Sequence, residues 1–274
     1  MSSNAPIGVF DSGVGGLTVA REIMRQLPEE RLIYFGDTAR LPYGSKSKAT
    51  IIRYSRQILR FLESQNVKAI VVACNTATAL ALPVLQAEAT VPVLGVIDAA
   101  ARVASEKTRN GRVGVVATTA TIESSMYTKA LKACNPKIQV YGKACPLLVP
   151  LVEEGWIHDS ITEEVVNRYI KDMEYKSIDT LILGCTHYPL LRSTFRRVVG
   201  ENVTLVNPAY ETAMELGRVL EKLDLSCDEQ VTQAGEKYEF FVSDAEERFC
   251  AFANSILPYD IEAVKQVNIE EENE

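Results

Sequence analysis

Residues 69–79 read AIVVACNTATA and residues 180–190 read TLILGCTHYPL, two versions of one pattern. Each is an apolar, β-branched run that stops at a small residue and a cysteine, Cys74 or Cys185. Asn75-Thr76 follows the first cysteine and Thr186-His187 the second. Such a run predicts a buried parallel strand feeding a helix N-terminus. In open α/β sheets that carboxyl end of the strand is where ligands bind. The two thiols, 111 residues apart, thus stand where such a fold places chemistry.

Outward from these strands the chain repeats itself. VGVVATT (113–119) matches IGVFDSG (7–13) at an offset of 106, and IQVYGK (138–143) answers LIYFGD (32–37) at the same offset. NVTLVNP (202–208) answers VPVLGVI (91–97) near the offset of the cysteine strands. Four elements recurring in one order predict an internal duplication. Two pseudo-symmetric three-layer α/β domains follow, parallel-sheet and flavodoxin- or Rossmann-like, with a site in the cleft between them. The expected boundaries are 1–98 plus 208–264 for the first domain and 99–207 for the second. KYEFFV (237–242) and the helical stretch 244–255 have no counterpart in the second copy and return to the first. Residues 265–274, ending in EEENE, are expected to be a disordered acidic tail.

Composition narrows the function. The apolar fraction of 47% and charged fraction of 24% are those of a globular protein. No apolar run is long enough for a membrane span, and MSSNAPIG lacks the basic and apolar regions of a secretory signal. Six cysteines at scattered spacings fit neither a disulfide framework nor a paired CxxC metal site, so the expected setting is a reducing cytoplasm. A net charge of −7 argues against nucleic acid as a partner. DSGVGG (11–16) between a strand and a helix is neither a Walker motif nor GxGxxG. A small carboxylate at those helix-terminal amides is the better expectation.

Two facing thiols admit three chemistries. A redox disulfide usually comes as CxxC. A single nucleophilic cysteine wants a histidine partner and an oxyanion hole. Two-base proton transfer has one thiolate remove a proton from one face of a carbon while the opposite thiol returns one. The duplication favours the third, since mirror-image substrates are best met by mirror-related bases. Both thiols are expected at helix N-termini, which would lower their pKa. Asp11 would lie beside Cys74 as proton acceptor, and His187 follows Cys185 by two residues. Ser12, Asn75, Thr76, Thr118, Thr119 and Thr186 offer neutral donors for a small polar substrate, with no strong cation among them. Cys134, Cys145, Cys227 and Cys250 read as packing, and His158 as surface.

The stretches FDSGVGGLTV (10–19), DTARLPYGSKS (37–47), ACNTATA (73–79), GVVATTATI (114–122) and LGCTHYPLL (183–191) resemble the cofactor-independent aspartate/glutamate racemase family. DSGVGG together with PYG is most like its glutamate-specific branch. The resemblance implies an isomerase that interconverts L- and D-glutamate for peptidoglycan, without pyridoxal phosphate or metal. It implies that Cys74 deprotonates the D isomer and Cys185 the L isomer. Asp11 and His187 would assist the thiols, with Asp37 and Glu153 as further polar support. Substrate contacts carried over are Asp11, Ser12, Tyr43, Gly44, Asn75, Thr76, Thr118, Thr121, Thr186 and His187. The partner is a small molecule, with neither nucleic acid nor membrane involved, and a homodimer is the default assembly. An isomerase of the same fold on another small acid, a thiol hydrolase, or a non-catalytic amino-acid-binding protein are the alternatives.

Overall fold

The computed structural model describes residues 3–174, 176–227, 237–261 and 263–269. Two parallel sheets form its frame. The first runs β10-β9-β2-β1-β3-β4, from strands β1 (Ile7–Asp11), β2 (Leu32–Gly36), β3 (Ala69–Val72), β4 (Val93–Gly95), β9 (Tyr238–Val242) and β10 (Lys265–Gln266). The second runs β6-β5-β7-β8, from β5 (Arg112–Ala117), β6 (Gln139–Ala144), β7 (Thr180–Gly184) and β8 (Thr204–Val206). The order β2-β1-β3-β4 is the order β6-β5-β7-β8 of the later copy, so the repetition in sequence is a repetition of topology. Every pairing is parallel.

Alternation along the strands makes each sheet the middle of three layers. Ile7, Val9, Tyr34 and Val71 face a core shared with α1 (Leu17–Gln26), α10 (Pro208–Lys222) and α11 (Glu246–Ile256). Phe10, Phe35, Ile70 and Val72 face the opposite core, under α2 (Lys48–Ser64) and α3 (Asn75–Glu88). In the second sheet Leu181 and Leu183 meet α7 (Leu148–Glu153), α8 (Ser160–Glu174) and α9 (Arg192–Val199). Val113, Val115 and Ile182 meet α4 (Ile97–Lys107) and α6 (Met126–Cys134). The short α5 (Thr119–Glu123) follows β5. The chain passes from the first sheet to the second between β4 and α4, and returns between β8 and α10.

Two expectations from sequence need correction. Residues 265–266, assigned to the tail, pair with Phe241 and Val242 as β10, and Ile269 is buried in the core under α2. An exposed row of amides on β9 and a few apolar side chains are enough to dock that segment. Residues 270–274 of the expected tail lie outside the described residues. Cys185, in turn, does not open an α-helix: a 3₁₀ turn at Tyr188–Leu191 comes first and α9 starts at Arg192. Pro189 has no N–H to bond back to the Cys185 carbonyl, so the first turn closes instead by Tyr188 N–H to that carbonyl at 3.1 Å.

Candidate active site

Cys74, two residues beyond β3, and Cys185, one beyond β7, continue the alternation on the faces of Val72 and Leu183. They emerge at the carboxyl ends of the sheets into one cleft of about 660 Å³. Both are almost fully buried, at 5% and 6% exposure, and charge on one thiol is felt by the other. Ser12, Tyr43, Gly44, Asn75, Thr76, Thr118, Glu153, Thr186 and His187 line the same cleft.

Asp11, Asp37 and Thr121 were expected at the site and stand behind its wall instead. Asp11 is fully buried, accepts from the Gly13 amide at 3.0 Å, and is also held by the Ser12 and Gly16 amides. The carboxylate seated on the amides of the glycine turn is thus the chain's own, which corrects the expectation of a ligand there. Among the described residues its second oxygen, Oδ1, has no hydrogen-bond partner, and burial raises the pKa of the carboxyl against the pull of His187. Asp37 is fully buried, accepts from Arg40 Nε at 2.8 Å and Ser243 Oγ at 3.0 Å, and bonds the Tyr43 hydroxyl. Its part is to hold Tyr43 in the cleft wall. Thr121 joins Thr118 at 3.0 Å and Thr76 at 3.4 Å, and Thr76 meets Thr118 at 3.0 Å, closing a ring of hydroxyls across the two sheets.

Around Cys74 the groups are neutral or acidic. Its thiol donates to Ser12 Oγ at 3.7 Å, and its sulfur caps α3 by accepting from the Ala77 amide at 3.5 Å. The expectation of a lowered pKa fails here. Burial, then the negative charge of Asp11, pushes the Cys74 thiol up to about 12, outweighing the helix amide and Ser12. Around Cys185 the groups form a chain of charges. His187 Nδ1 lies 3.8 Å from Cys185 Sγ, and His187 Nε2 lies 3.0 Å from Glu153 Oε1. Arg248 of α11 approaches Glu153 at 3.9 Å and Glu154 at 3.7 Å. Burial pulls the His187 pKa down, but hydrogen bonds to Cys185 and Glu153 outweigh it and hold it at about 10. Burial works upward on Glu153, and His187 and Arg248 bring it below the usual carboxylate range.

Gly15 explains how His187 comes this close to the first sheet. A β-carbon there would lie 2.4 Å from Thr186 Oγ1 and 2.5 Å from the His187 ring. Thr18, the second residue of α1, donates to the Thr186 carbonyl at 2.9 Å and ties the same two segments.

Sequence reasoning missed part of the lining. Lys46, Glu123, Pro146, Val149 and Pro150 all face the cleft. Lys46 is a cation where none was expected; its place beside PYG in DTARLPYGSKS was the available signal. Val149 and Pro150 reach the cleft only because β6 delivers the chain there, which no local pattern announces. His158 is exposed, as expected, and Cys145 is buried with its carbonyl bonded by the Tyr188 hydroxyl at 2.7 Å.

The chain is similar in sequence and in fold to known proteins. The Asp/Glu/Hydantoin racemase family matches residues 7–216. The glutamate racemase of Geobacter metallireducens is 47% identical over 268 residues, covering 98% of each chain. A crystal structure of a glutamate racemase isoform from Bacillus anthracis superposes with a TM-score of 0.92 at 41% identity, over 97% of this chain and 98% of that one. That of the Francisella tularensis glutamate racemase in complex with D-glutamate gives 0.90 at 38% identity, over 98% and 99%.

Proposed function

We infer, for a chain that belongs to the Asp/Glu/Hydantoin racemase family, that its activity is that of a glutamate racemase, an isomerase interconverting L- and D-glutamate. The observation that carries the reading is the pair of thiols at the ends of equivalent strands, β3 and β7, facing one cleft. Nearly full-length similarity to glutamate racemases supports the substrate.

The α-carbon of glutamate lies between Cys74 and Cys185. One sulfur, as thiolate, takes the α-proton, and the electron pair of the broken C–H bond passes into the carboxylate. The opposite thiol delivers its proton to the other face. The product is the mirror image, and the two sulfurs have exchanged protonation states. Cys74 acts on the D isomer and Cys185 on the L isomer. Asp11, whose buried oxygen Oδ1 lacks a partner, receives the Cys74 proton. His187, held by Glu153, carries positive charge beside Cys185 and stabilises negative charge on that sulfur. Ser12, Asn75, Thr76, Thr118 and Thr186 present neutral donors to the substrate carboxylates, and Lys46 adds a cation on the cleft wall. Where bound substrate displaces water from the cleft, such fixed dipoles act strongly on a developing carbanion.

The reading extends to a cytoplasmic homodimer that supplies D-glutamate for peptidoglycan. Among the described residues no helix is long and apolar enough to cross a membrane. The decisive experiment is proton NMR of D-glutamate in D₂O with the purified protein and no added cofactor. Loss of the α-proton signal, with L isomer appearing by circular dichroism, is the expected outcome. An untouched α-proton would leave the fold standing and overturn the substrate.

A further inference from the structure

One side chain touches the residue next to each thiol, and it is not part of the cleft wall. Tyr127, on α6, is 3% exposed. Its ring packs on Gly184, where a β-carbon would lie 2.9 Å from Tyr127 Cε2, and Gly184 immediately precedes Cys185. Its hydroxyl donates to Asn75 Oδ1 at 2.6 Å, and Asn75 immediately follows Cys74. The contact crosses from the second sheet's helices to the first sheet's α3, over 52 residues of sequence.

We propose that Tyr127 is a positioning residue that engages the Asn75 carbonyl from behind, so that the Asn75 NH₂ is presented to a substrate carboxylate in the cleft. The proposal rests on the racemase reading above. The logic is that of amide inventory: a side-chain amide has one acceptor end and one donor end. Asn75 lines the cleft at 4% exposure, and its acceptor end is taken by a phenol. The donor end is therefore the one left to serve a carboxylate. A phenol in this place keeps its proton, since burial and the nearby Cys185 and Asp98 push its pKa up. A glycine at 184 lets the ring come close enough to make the reach, and the same ring contact sets the Cys185 strand end against Asn75.

Tyr127→Phe keeps the ring on Gly184 and deletes only the hydroxyl, so it tests the hydrogen bond apart from the packing. An interaction made equally with bound substrate and transition state shows in KM and spares kcat. The expected result is a KM for both isomers raised about tenfold, or about 1.4 kcal/mol, with kcat within about threefold. In an Asn75→Ala background Tyr127→Phe should add nothing, because the residue acts through Asn75. Multiplying effects in the double variant, or a fall in kcat alone, would overturn the proposal. Should Tyr127→Phe melt early, Asn75→Asp carries the test. It retains an acceptor for Tyr127 but has no NH₂, and an unchanged KM there would sink the idea. A second readout needs no turnover: in ¹⁵N-labelled protein the Asn75 side-chain amide signals should move in Tyr127→Phe. Unmoved signals overturn the proposal even if wild type leaves the glutamate α-proton in place, and moved signals in such a protein would indict the substrate instead.

Discussion

The Cys74 and Cys185 halves of the site share a frame and differ in their chemistry. Both thiols end the third strand of a four-strand parallel unit of the same order. Cys74 faces Ser12 and Asp11, and its thiol is pushed up to about 12. Cys185 faces His187, held near 10 and backed by Glu153 and Arg248. The topology supplies equivalent positions for two thiols, while their neighbours differ: a buried carboxylate behind Cys74, and an imidazole bonded to Glu153 beside Cys185. A two-base racemase needs matched geometry more than matched neighbours.

The strongest way to break this comparison is to remove each sulfur in turn. Cys74→Ala and Cys185→Ala should each lower racemisation by about 10⁴-fold, the upper range for a positioned acid or base. Circular dichroism with either isomer is the assay, and full turnover in one variant would end the two-base account. Next in size is the histidine. His187→Gln should cost about 10³-fold, and unequally in the two directions. Because enantiomers have equal free energy, kcat/KM must fall alike for both. The difference then appears in kcat, larger for L-glutamate if Cys185 serves that isomer as proposed; equal losses in kcat would dissolve the distinction between the halves. Gly15→Ala comes third, at about 10²-fold, since its methyl displaces Thr186 and His187 and small misplacements near the chemistry are costly. A crystal structure with an unmoved His187 and full activity would contradict it.

The smallest effects are on stability, and they separate the halves by pH. His187 has a folded pKa of about 10 against an ordinary 6.5. Its contribution is fully present below the lower value and is lost as pH rises through the upper one. Cys74, raised from 9.0 to about 12, leaves the unfolded chain free to ionise first. Its contribution is therefore intact below 9 and declines above it. Thermal melts should fall by a few degrees on the alkaline side. His187→Gln should flatten the fall below pH 9 and Cys74→Ala the fall above it.

How much of this could be read beforehand depends on the range of each signal. Strands buried on both faces are continuous apolar runs, so β3 and β7 and their cysteine ends were plain in 69–79 and 180–190. The duplicated order was readable because four weak matches kept one sequence. Burial energies were not readable, and for that reason the lowered pKa expected of Cys74 was wrong: its helix amide is present but desolvation and Asp11 outweigh it. The 3₁₀ turn after Cys185 was foreshadowed by Pro189 and overlooked. Tyr127 carries no local mark at all, since its importance comes from meeting Asn75 across the sheets. Asp37 was picked by motif for the right neighbourhood, but its neighbours Arg40, Ser243 and Tyr43 make it a support for the wall.

The chain crosses from one sheet's layers to the other's twice, at 95–97 and again at 206–208. Two rigid slabs joined at a single point can twist and tilt in every direction. Joined at two, they retain one easy rotation, about the line through the joints. Here that rotation is opposed as well, because Thr18 donates to the Thr186 carbonyl and Thr76 meets Thr118 across the gap. The spacing between the two sulfurs is therefore set by covalent and hydrogen-bonded ties together.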